Sequence, residues 1–318
     1  MKYINVSKIL QLLPEGKFKE SLKKIYYQHV SHACEKWYKL DDLVKNTVLL
    51  QDGEYIRIEL NNGLRFYDKR LVQPSQDPCY KYGKKEKLKK LKTMKEFRRT
   101  YLRLYQEMCT DQHWKFELDK GDIVIDAGAE IGSFTIKAAN IVGAKGKVIA
   151  IEPDINNLAV LKKNIEANRL KNVVVVPKGL WSKRCVKKFY LDYWPGLHSL
   201  FENRPGSPLR LKLQGRSSAE IEVDTLDNIL RDLKIKHVDL IKMDIEGAEI
   251  EALKGAESIL NTENLKLVIE AFHEVNGQPT YKVIIPFLQK RGFSTVLNKK
   301  LYVIYSVKRP QQSFSHPE

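Results

Sequence analysis

Residues 123–134 read IVIDAGAEIGSF, and this stretch decides the fold. A β-branched run ends at Asp126, a short turn containing Gly128 and Gly132 follows, and a helical pattern then begins. Glycine lets a backbone turn sharply and approach a ligand closely, and the N-terminus of a helix offers unpaired N–H groups to an anionic group. The stretch therefore predicts a strand, a ligand-binding turn and a helix in succession.

The same alternation continues along the chain. From Gly121 onward, short β-branched runs alternate with amphipathic helical segments, which is typical of parallel βαβ units. Strands are predicted at 123–128, 147–152, 173–177, 238–244 and 266–272, with a terminal pair around 294–298 and 301–307. A helix is predicted after Asp154, with an apolar face formed by Ile155, Leu158, Leu161 and Ile165. The pattern predicts an α/β, Rossmann-like domain.

An acidic residue, Glu152, ends the second predicted strand, 20 residues after Gly132. At that place a carboxylate can accept both hydroxyls of an adenosine ribose. The dinucleotide fingerprint G-x-G-x-x-G is absent, because Ala129, Glu130 and Ile131 separate the glycines, and Glu130 would repel a pyrophosphate. A ligand with a ribose and an amino-acid end fits better, since its α-ammonium group needs an acceptor. S-adenosylmethionine is such a ligand.

Two further blocks follow later strands, KMDIEGAE at 242–249 and IEAFHE at 269–274. Ligands bind outside the carboxyl ends of strands in an open parallel sheet, so Asp244 is expected beside the first turn. His273 follows the next strand, and its ordinary pKa of roughly 6.5 suits a proton acceptor. Glu249 is interpreted only as a residue that favours the first turn of a helix.

Together these blocks resemble the FkbM family of S-adenosylmethionine-dependent O-methyltransferases. The shared features are a D-x-G-A-N-x-G turn, with Glu130 in place of the usual Asn, an acidic end of strand two, a K-x-D-x-E-G-x-E segment and an I-E-x-H-like strand end. The resemblance runs from about Asp122 to Val307 and includes Thr225-Leu226-Asp227. It implies a class I methyltransferase fold with a mostly parallel seven-stranded sheet and an antiparallel terminal strand. It also implies S-adenosyl-L-methionine as cofactor and a hydroxyl oxygen of a sugar, glycan or natural product as acceptor.

The resemblance and the motifs together give a set of expected site residues. Those expected to bind the cofactor are Asp126, Gly128, Ala129, Glu130, Ile131, Gly132, Ser133, Phe134, Glu152, Pro153, Asn157, Gly179, Leu180, Trp181 and Asp244. His273 and Asp244 are the expected catalytic residues. Those expected to bind the acceptor are Trp194, His198, Ser199, Glu246 and Glu270. The carboxylates could hold a divalent ion, but no metal site is predicted.

Two regions lie outside the βαβ pattern. Residues 1–118 are predicted to form a basic N-terminal α+β appendage, with a helix at 17–39, a hairpin around 54–60 and a basic amphipathic helix at 84–107. Residues 119–318 are predicted to form the cofactor-binding methyltransferase domain. An insertion at about 183–220 is too long for an ordinary connection, and loops of this kind are often lids or binding loops.

The chain carries a formal net charge of +16, which favours polyanionic partners such as RNA, anionic lipid or a phosphorylated glycan carrier. An RNA methyltransferase acting on a ribose 2′-hydroxyl or a ring nitrogen is therefore an alternative. A second alternative is a non-catalytic cofactor-binding protein.

Location is predicted from what the sequence lacks. The chain has no apolar stretch of the roughly 20 residues that a membrane-spanning helix needs, no secretory pattern at its N-terminus, and four scattered cysteines. These features predict a soluble cytoplasmic protein without a transmembrane segment. The sequence does not predict an oligomeric state.

Overall fold

A computed structural model describes residues 44–49, 55–69, 116–191, 198–201, 218–275, 277–299 and 301–308. The chain divides into two compact units, one made of residues 1–110 with 208–210 and the other of 111–207 with 211–318. The domain boundary expected at 118/119 stays a prediction. Among the described residues, no helix is both long enough and apolar enough to cross a bilayer.

The first unit contains a three-stranded antiparallel sheet. Its strands are β1 (Val44–Leu49), β2 (Tyr55–Leu60) and β3 (Arg65–Lys69), in that order across the sheet. The side chain of Asn62 accepts the backbone N–H of Leu64 at 3.1 Å in the turn between β2 and β3. The alternating pattern of β2 thus forms strand pairs at the predicted place. The helices predicted at 17–39 and 84–107 lie outside the described residues.

The second unit alternates strands and helices. Its strands are β4 (Ile123–Ala127), β5 (Lys147–Ile151), β6 (Val173–Val176), β7 (Gly179–Leu180), β8 (Cys185–Tyr190), β9 (Ser218–Asp224), β10 (Leu240–Met243), β11 (Lys266–Glu270), β12 (Glu274–Val275), β13 (Gln278–Pro279), β14 (Phe293–Asn298) and β15 (Val303–Lys308). Its helices are α1 (Ser133–Val142), α2 (Ile155–Ala167), α3 (Leu226–Asp232), α4 (Glu249–Lys254) and α5 (Tyr281–Gln289).

Seven of these strands form one sheet in the order β14-β15-β11-β10-β4-β5-β6. Strands β4, β5, β6, β10 and β11 are parallel neighbours, and β15 runs antiparallel to both β11 and β14. The predicted α/β fold, with a mostly parallel seven-stranded sheet and an antiparallel terminal strand, is confirmed. From β4, the chain first adds strands on one side of the sheet (β5, β6) and later on the other side (β10, β11). Between β4 and β10 this leaves a crevice at the carboxyl edge of the sheet.

Both faces of the sheet are buried, which explains why the strand sequences are almost continuously apolar. Successive residues point to opposite faces, so Ile125 and Ile149 belong to one core cluster and Val124 and Val148 to the other. The prediction for α2 is wrong at Ile155, which is 79% exposed. Ile155 is the first residue of that helix, and its side chain is not part of the apolar surface that the later turns bury.

The predicted insertion is not entirely loop. Strands β8 and β9 pair with each other antiparallel, and β7 pairs with β9 in parallel, so the three form a small second sheet. The short segment 198–201 between them is joined to β8 by paired backbone hydrogen bonds between Tyr190 and Ser199. Both ends of the predicted insertion therefore belong to paired strands, β8 at its start and β9 at its end.

Candidate active site at the carboxyl edge of the sheet

The turn after β4 is pressed against the end of β10. Gly128 has φ of +79°, and a Cβ built on it would lie 1.9 Å from the backbone oxygen of Asp244. Only glycine fits both the left-handed backbone and this close approach. The turn then reaches Gly132, which has φ of +88° and begins α1 without a side-chain cap. The first N–H groups of α1 are therefore not occupied by a capping side chain at that residue.

Asp126, near the end of β4, stabilises this turn. Its side chain is fully buried, and its Oδ2 accepts the hydroxyl of Thr135 at 2.5 Å while its Oδ1 lies 3.2 Å from Nζ of Lys242. Lys242 is the register partner of Asp126 on β10, and its Nζ also donates to the backbone oxygen of Gly128 at 3.1 Å. A buried ion pair thus connects the ends of two adjacent strands to the turn.

The carboxylate of Glu152 links the turn to β5. Its Oε2 accepts the N–H of Glu130, and its Oε1 accepts the N–H of Asp154, each at 2.9 Å. The side-chain amide of Asn157 donates to the same Oε1 at 3.3 Å. Burial raises the pKa of Glu152 to about 7, although these hydrogen bonds oppose the shift. A carboxylate offers about four lone-pair sites, so capacity for a ribose hydroxyl remains.

Four carboxylates, those of Asp244, Glu246, Glu249 and Glu270, form an acid cluster around His273 at the ends of β10 and β11. Asp244 follows β10 directly, Glu246 lies two residues further in a turn with φ of +59°, and Glu270 ends β11. Burial, followed by the charges of Glu270 and Glu246, raises the pKa of Asp244 to about 8. Within the described part of the chain, Oδ1 of Asp244 is buried without a hydrogen-bond partner.

His273 lies among these acids and is only 1% exposed. Its Nε2 is 3.2 Å from Oε2 of Glu246, and its Nδ1 is 3.1 Å from Oε1 of Glu249. Burial alone would lower the pKa of His273, but the charges and close contacts of Glu249 and Glu246 raise it to about 10. Such a pKa favours the protonated ring near neutral pH, whereas the proton acceptor expected from the sequence requires a neutral ring.

Glu249 is the residue that sequence reasoning missed. It was interpreted as a helix-terminal residue, yet its side chain is fully buried and contacts His273. Burial would raise the pKa of this carboxyl, but the charge of His273 and hydrogen bonds from His273 and the backbone lower it below its usual value. The sequence carries no signal for this burial, since an acid that starts a short helix is more often exposed.

Residues 198–201 of the insertion contact both sides of the crevice. Nε2 of His198 lies 3.7 Å from Oδ2 of Asp154, which follows β5. The hydroxyl of Ser199, a buried residue, donates to the backbone oxygen of Glu246 at 2.8 Å. The ring of Phe201 lies about 3.4 Å from a Cβ built on Gly247. His198 is thus nearer the expected ribose side than the acceptor side, and Trp194 lies outside the described residues.

Gly179, Leu180 and Trp181, which are expected to bind the cofactor, lie in and directly after β7. Gly179 and Leu180 are buried, and Leu180 belongs to the main core cluster. Trp181 is half-buried, its ring centre lies 4.0 Å from Nζ of Lys187, and its backbone N–H donates to the oxygen of Asp224. Among the described residues, no hydrogen bond joins residues 179–181 to the acid cluster. The role of these three residues in cofactor binding stays a prediction.

One group of side chains has the composition of a metal site. Asp244, Glu249 and His273 each place a potential ligand atom within 4.8 Å of the others. Each ring nitrogen of His273 lies within 3.2 Å of a carboxylate oxygen, however, and a ring protonated at both nitrogens would have no lone pair for a metal. The expected absence of a metal stays a prediction.

Comparison with known proteins identifies the family. The model of the methyltransferase FkbM domain matches residues 126–295, which is more than half of the chain. The chain belongs to this family. The match includes the turn after β4 and the acid cluster, so the resemblance read from the motifs is confirmed.

Individual relatives are distant. Methyltransferase sdnD of Sordaria araneosa is 26% identical over 215 residues, which cover 60% of this chain and 81% of that protein. The 31-O-demethyl-FK506 methyltransferase FkbM of Streptomyces tacrolimicus is 27% identical over 218 residues, covering 61% and 82%. The crystal structure of methyltransferase FkbM from Methylobacillus flagellatus KT is 19% identical, has a TM-score of 0.44, and covers 70% of this chain and 55% of that chain.

As a member of the FkbM family, this chain is a methyltransferase that uses S-adenosylmethionine. The cofactor expected from the sequence is confirmed, and so is methyl transfer as the type of reaction. The atom that receives the methyl group, the binding of nucleic acid through residues 84–107, and a cytoplasmic location stay predictions.

Proposed function

We propose that this FkbM methyltransferase transfers the methyl group of S-adenosylmethionine to a hydroxyl oxygen. The observation that carries the proposal is the half-buried residue Asp244 beside the glycine turn, whose Oδ1 atom is buried and whose pKa is raised to about 8. A general base works best when its pKa lies near the operating pH. A hydroxyl acceptor needs such a base, because its proton must leave as the new bond to carbon forms.

The residues present fit the cofactor. The buried, unpartnered Oδ1 of Asp244 is an acceptor suited to a cationic group, and the uncapped start of α1 after Gly132 suits a carboxylate. Glu152 would accept the ribose hydroxyls, and Asp126 would act through the turn that it supports. When bound, the cofactor supplies a methyl group that its sulfonium already activates.

The chain's own residues would then orient the acceptor and take its proton. The carboxylate of Asp244 would accept the hydroxyl proton, and Glu246 and Glu270 would lie on the acceptor side. Holding two reacting groups in line supplies a large part of such a rate enhancement. His273 would remain protonated throughout, which offsets part of the negative charge of the cluster.

The charge of the crevice favours a neutral acceptor. Asp244, Glu246 and Glu270 are acids, and the charges of Glu246 and Glu270 already raise the pKa of Asp244. A phosphate group at this position would meet the same repulsion. A polyhydroxyl compound such as a sugar or a natural product fits better than the ribose of RNA at this edge of the sheet.

Labelling identifies the acceptor. The purified full chain would be incubated with S-adenosylmethionine carrying a deuterated methyl group, once with small-molecule cell extract and once with total RNA, and products would be analysed by mass spectrometry. We expect label in a hydroxyl-bearing small molecule. Label confined to RNA would overturn the acceptor class, and absence of label from every fraction would support the non-catalytic alternative.

The rate is expected to depend on pH in two steps. Because Asp244 accepts a proton only when ionised, kcat/KM, which reports the free enzyme, should rise as the pH increases through about 8. Because the charge of His273 is lost above its raised pKa, kcat/KM should fall again near pH 10. Initial rates of label transfer to the identified acceptor, measured across this range, check the profile. A rate already maximal near pH 6 would contradict Asp244 as the base.

A further inference from the structure

Glu249 and His273 form a buried contact between two elements that carry the candidate site. Glu249 is the first residue of α4, and His273 lies three residues after the end of β11. The Glu249 side chain has no exposed surface, and that of His273 is 1% exposed. The contact measures 3.1 Å between Oε1 of Glu249 and Nδ1 of His273. Its complete burial distinguishes it from a surface ion pair, which contributes little.

A carboxylate faces each nitrogen of the His273 ring. Oε2 of Glu246 is 3.2 Å from Nε2 and Oε1 of Glu249 is 3.1 Å from Nδ1. A neutral imidazole carries a proton on only one nitrogen, whereas the protonated ring carries a positive charge that both nearby carboxylates attract. The two short contacts therefore favour the protonated ring. Burying that charge is tolerable because it is paired on both sides.

Glu249 also holds the turn that carries Asp244. The same Oε1 accepts the backbone N–H of Ile245 at 3.2 Å and that of Gly247 at 3.1 Å. Between these two residues, Glu246 has φ of +59°, and Gly247 itself has φ of +102°. The backbone conformation of Glu246 is costly for a residue other than glycine and persists when surrounding contacts fix it. One carboxylate therefore fixes both the turn after β10 and the ring after β11.

We propose that Glu249 is a positioning residue for the proposed methyl transfer. Together with Glu246 it keeps the His273 ring protonated and fixed, which leaves Asp244 as the group that accepts the acceptor's proton. The inference rests on the proposed function for its catalytic consequence, but the protonation state of the ring can be observed without any acceptor.

Other charged residues also affect the pKa of Asp244 in this cluster. Asp244 and Glu246 belong to the turn after β10, Lys242 belongs to β10 itself, and Glu270 ends β11. The charges of His273 and Lys242 lower the pKa of Asp244, whereas those of Glu246 and Glu270 raise it. If His273 lost its proton, the pKa of Asp244 would rise further and fewer molecules would carry the ionised base at neutral pH.

The test combines a charge-removing variant with a direct observation of the ring. Glu249→Gln keeps the side-chain length and a carbonyl oxygen for the backbone N–H groups, but it removes the charge. Glu251→Gln is the matched control, because Glu251 lies on the same helix and pairs with Lys254 and Ser182 rather than with His273. The full chain would be labelled with ¹⁵N-histidine, and the signals of His273 would be identified by their loss in His273→Gln.

In the wild type and in Glu251→Gln, we expect the His273 ring to stay protonated from about pH 6 to about pH 9. In Glu249→Gln we expect it to titrate within that range, which corresponds to a loss of proton affinity of at least about tenfold. The kcat/KM of Glu249→Gln should fall about tenfold or more at pH 8, and the decrease of kcat/KM at high pH should move to lower pH.

Several results would overturn the inference. A wild-type His273 ring that is neutral near pH 7 would do so whether or not Glu249→Gln folds. Unchanged titration in a folded Glu249→Gln would also do so, and so would Mg²⁺ or Zn²⁺ that displaces the ring proton in the wild type. If the ring behaves as expected but no methyl transfer to a hydroxyl is found, the positioning geometry stands and the proposed function fails.

Discussion

Replacing Asp244 with asparagine is expected to lower kcat by about 10²- to 10⁴-fold, which is the usual contribution of a general base. Asparagine has nearly the same shape but cannot accept the hydroxyl proton. Stability should not fall. Because the folded state raises the pKa of Asp244 to about 8, the destabilising effect of this carboxyl grows as the pH rises from about 4 to about 8, stays at its maximum above pH 8, and disappears when the ionisable group is removed. Label transfer and thermal unfolding at pH 8 measure the two effects.

The control for this prediction is Asp232→Asn. Asp232 is an exposed residue that ends α3 and pairs with Arg184, so its loss should leave kcat unchanged. A variant Asp244→Asn that transfers methyl groups at the wild-type rate would show that another group takes the proton. A variant that has lost both activity and thermal stability would show that Asp244 acts mainly in folding.

Replacing Gly128 with alanine is expected to abolish cofactor binding and to lower the free energy of unfolding by about 4 kcal/mol or more. The added Cβ would lie 1.9 Å from the backbone oxygen of Asp244, and neither backbone can yield without separating β4 from β10. The alanine would also have to adopt φ of +79°. Denaturant unfolding and calorimetry with S-adenosylmethionine measure these effects.

The control variant Gly143→Ala distinguishes backbone strain from a steric clash of the added Cβ. Gly143 follows α1 with φ of +67°, and a Cβ built on it would meet nothing within 4 Å. Because φ of +67° with ψ of −168° strains an alanine, this control should lose about 1 to 3 kcal/mol, and it should keep its affinity for the cofactor. Equal losses in Gly128→Ala and Gly143→Ala would show that the contact with Asp244 is not as close as described.

The parts of the fold and site that depend on local sequence could be predicted. Gly128 and Gly132 mark a sharp turn, Asp154 caps α2 through the N–H groups of Asn156 and Asn157, and apolar strands alternate with helices. Each of these features depends on neighbours within a few residues. The place of Asp244 beside Gly128 could also be predicted, because a parallel sheet brings the ends of its strands to one edge.

The parts that depend on contacts across the fold could not be predicted. Glu249 and His273 are 24 residues apart, and only the packing of α4 beside the end of β11 brings them together. Without that contact, the pKa of His273 would be placed near its ordinary value, and the residue would be taken as a base. The contact of Ser199 with the backbone of Glu246 spans 47 residues and has no local signal either.

The most direct test of the central claim is the chemical environment of the transferred carbon. The full chain would be given S-adenosylmethionine with a ¹³C-labelled methyl group together with the acceptor found in the extract experiment, and the product would be examined by NMR. We predict a methyl carbon bonded to oxygen, formed by the wild type and not detectably by Asp244→Asn. A methyl carbon bonded to nitrogen or to carbon would contradict the account.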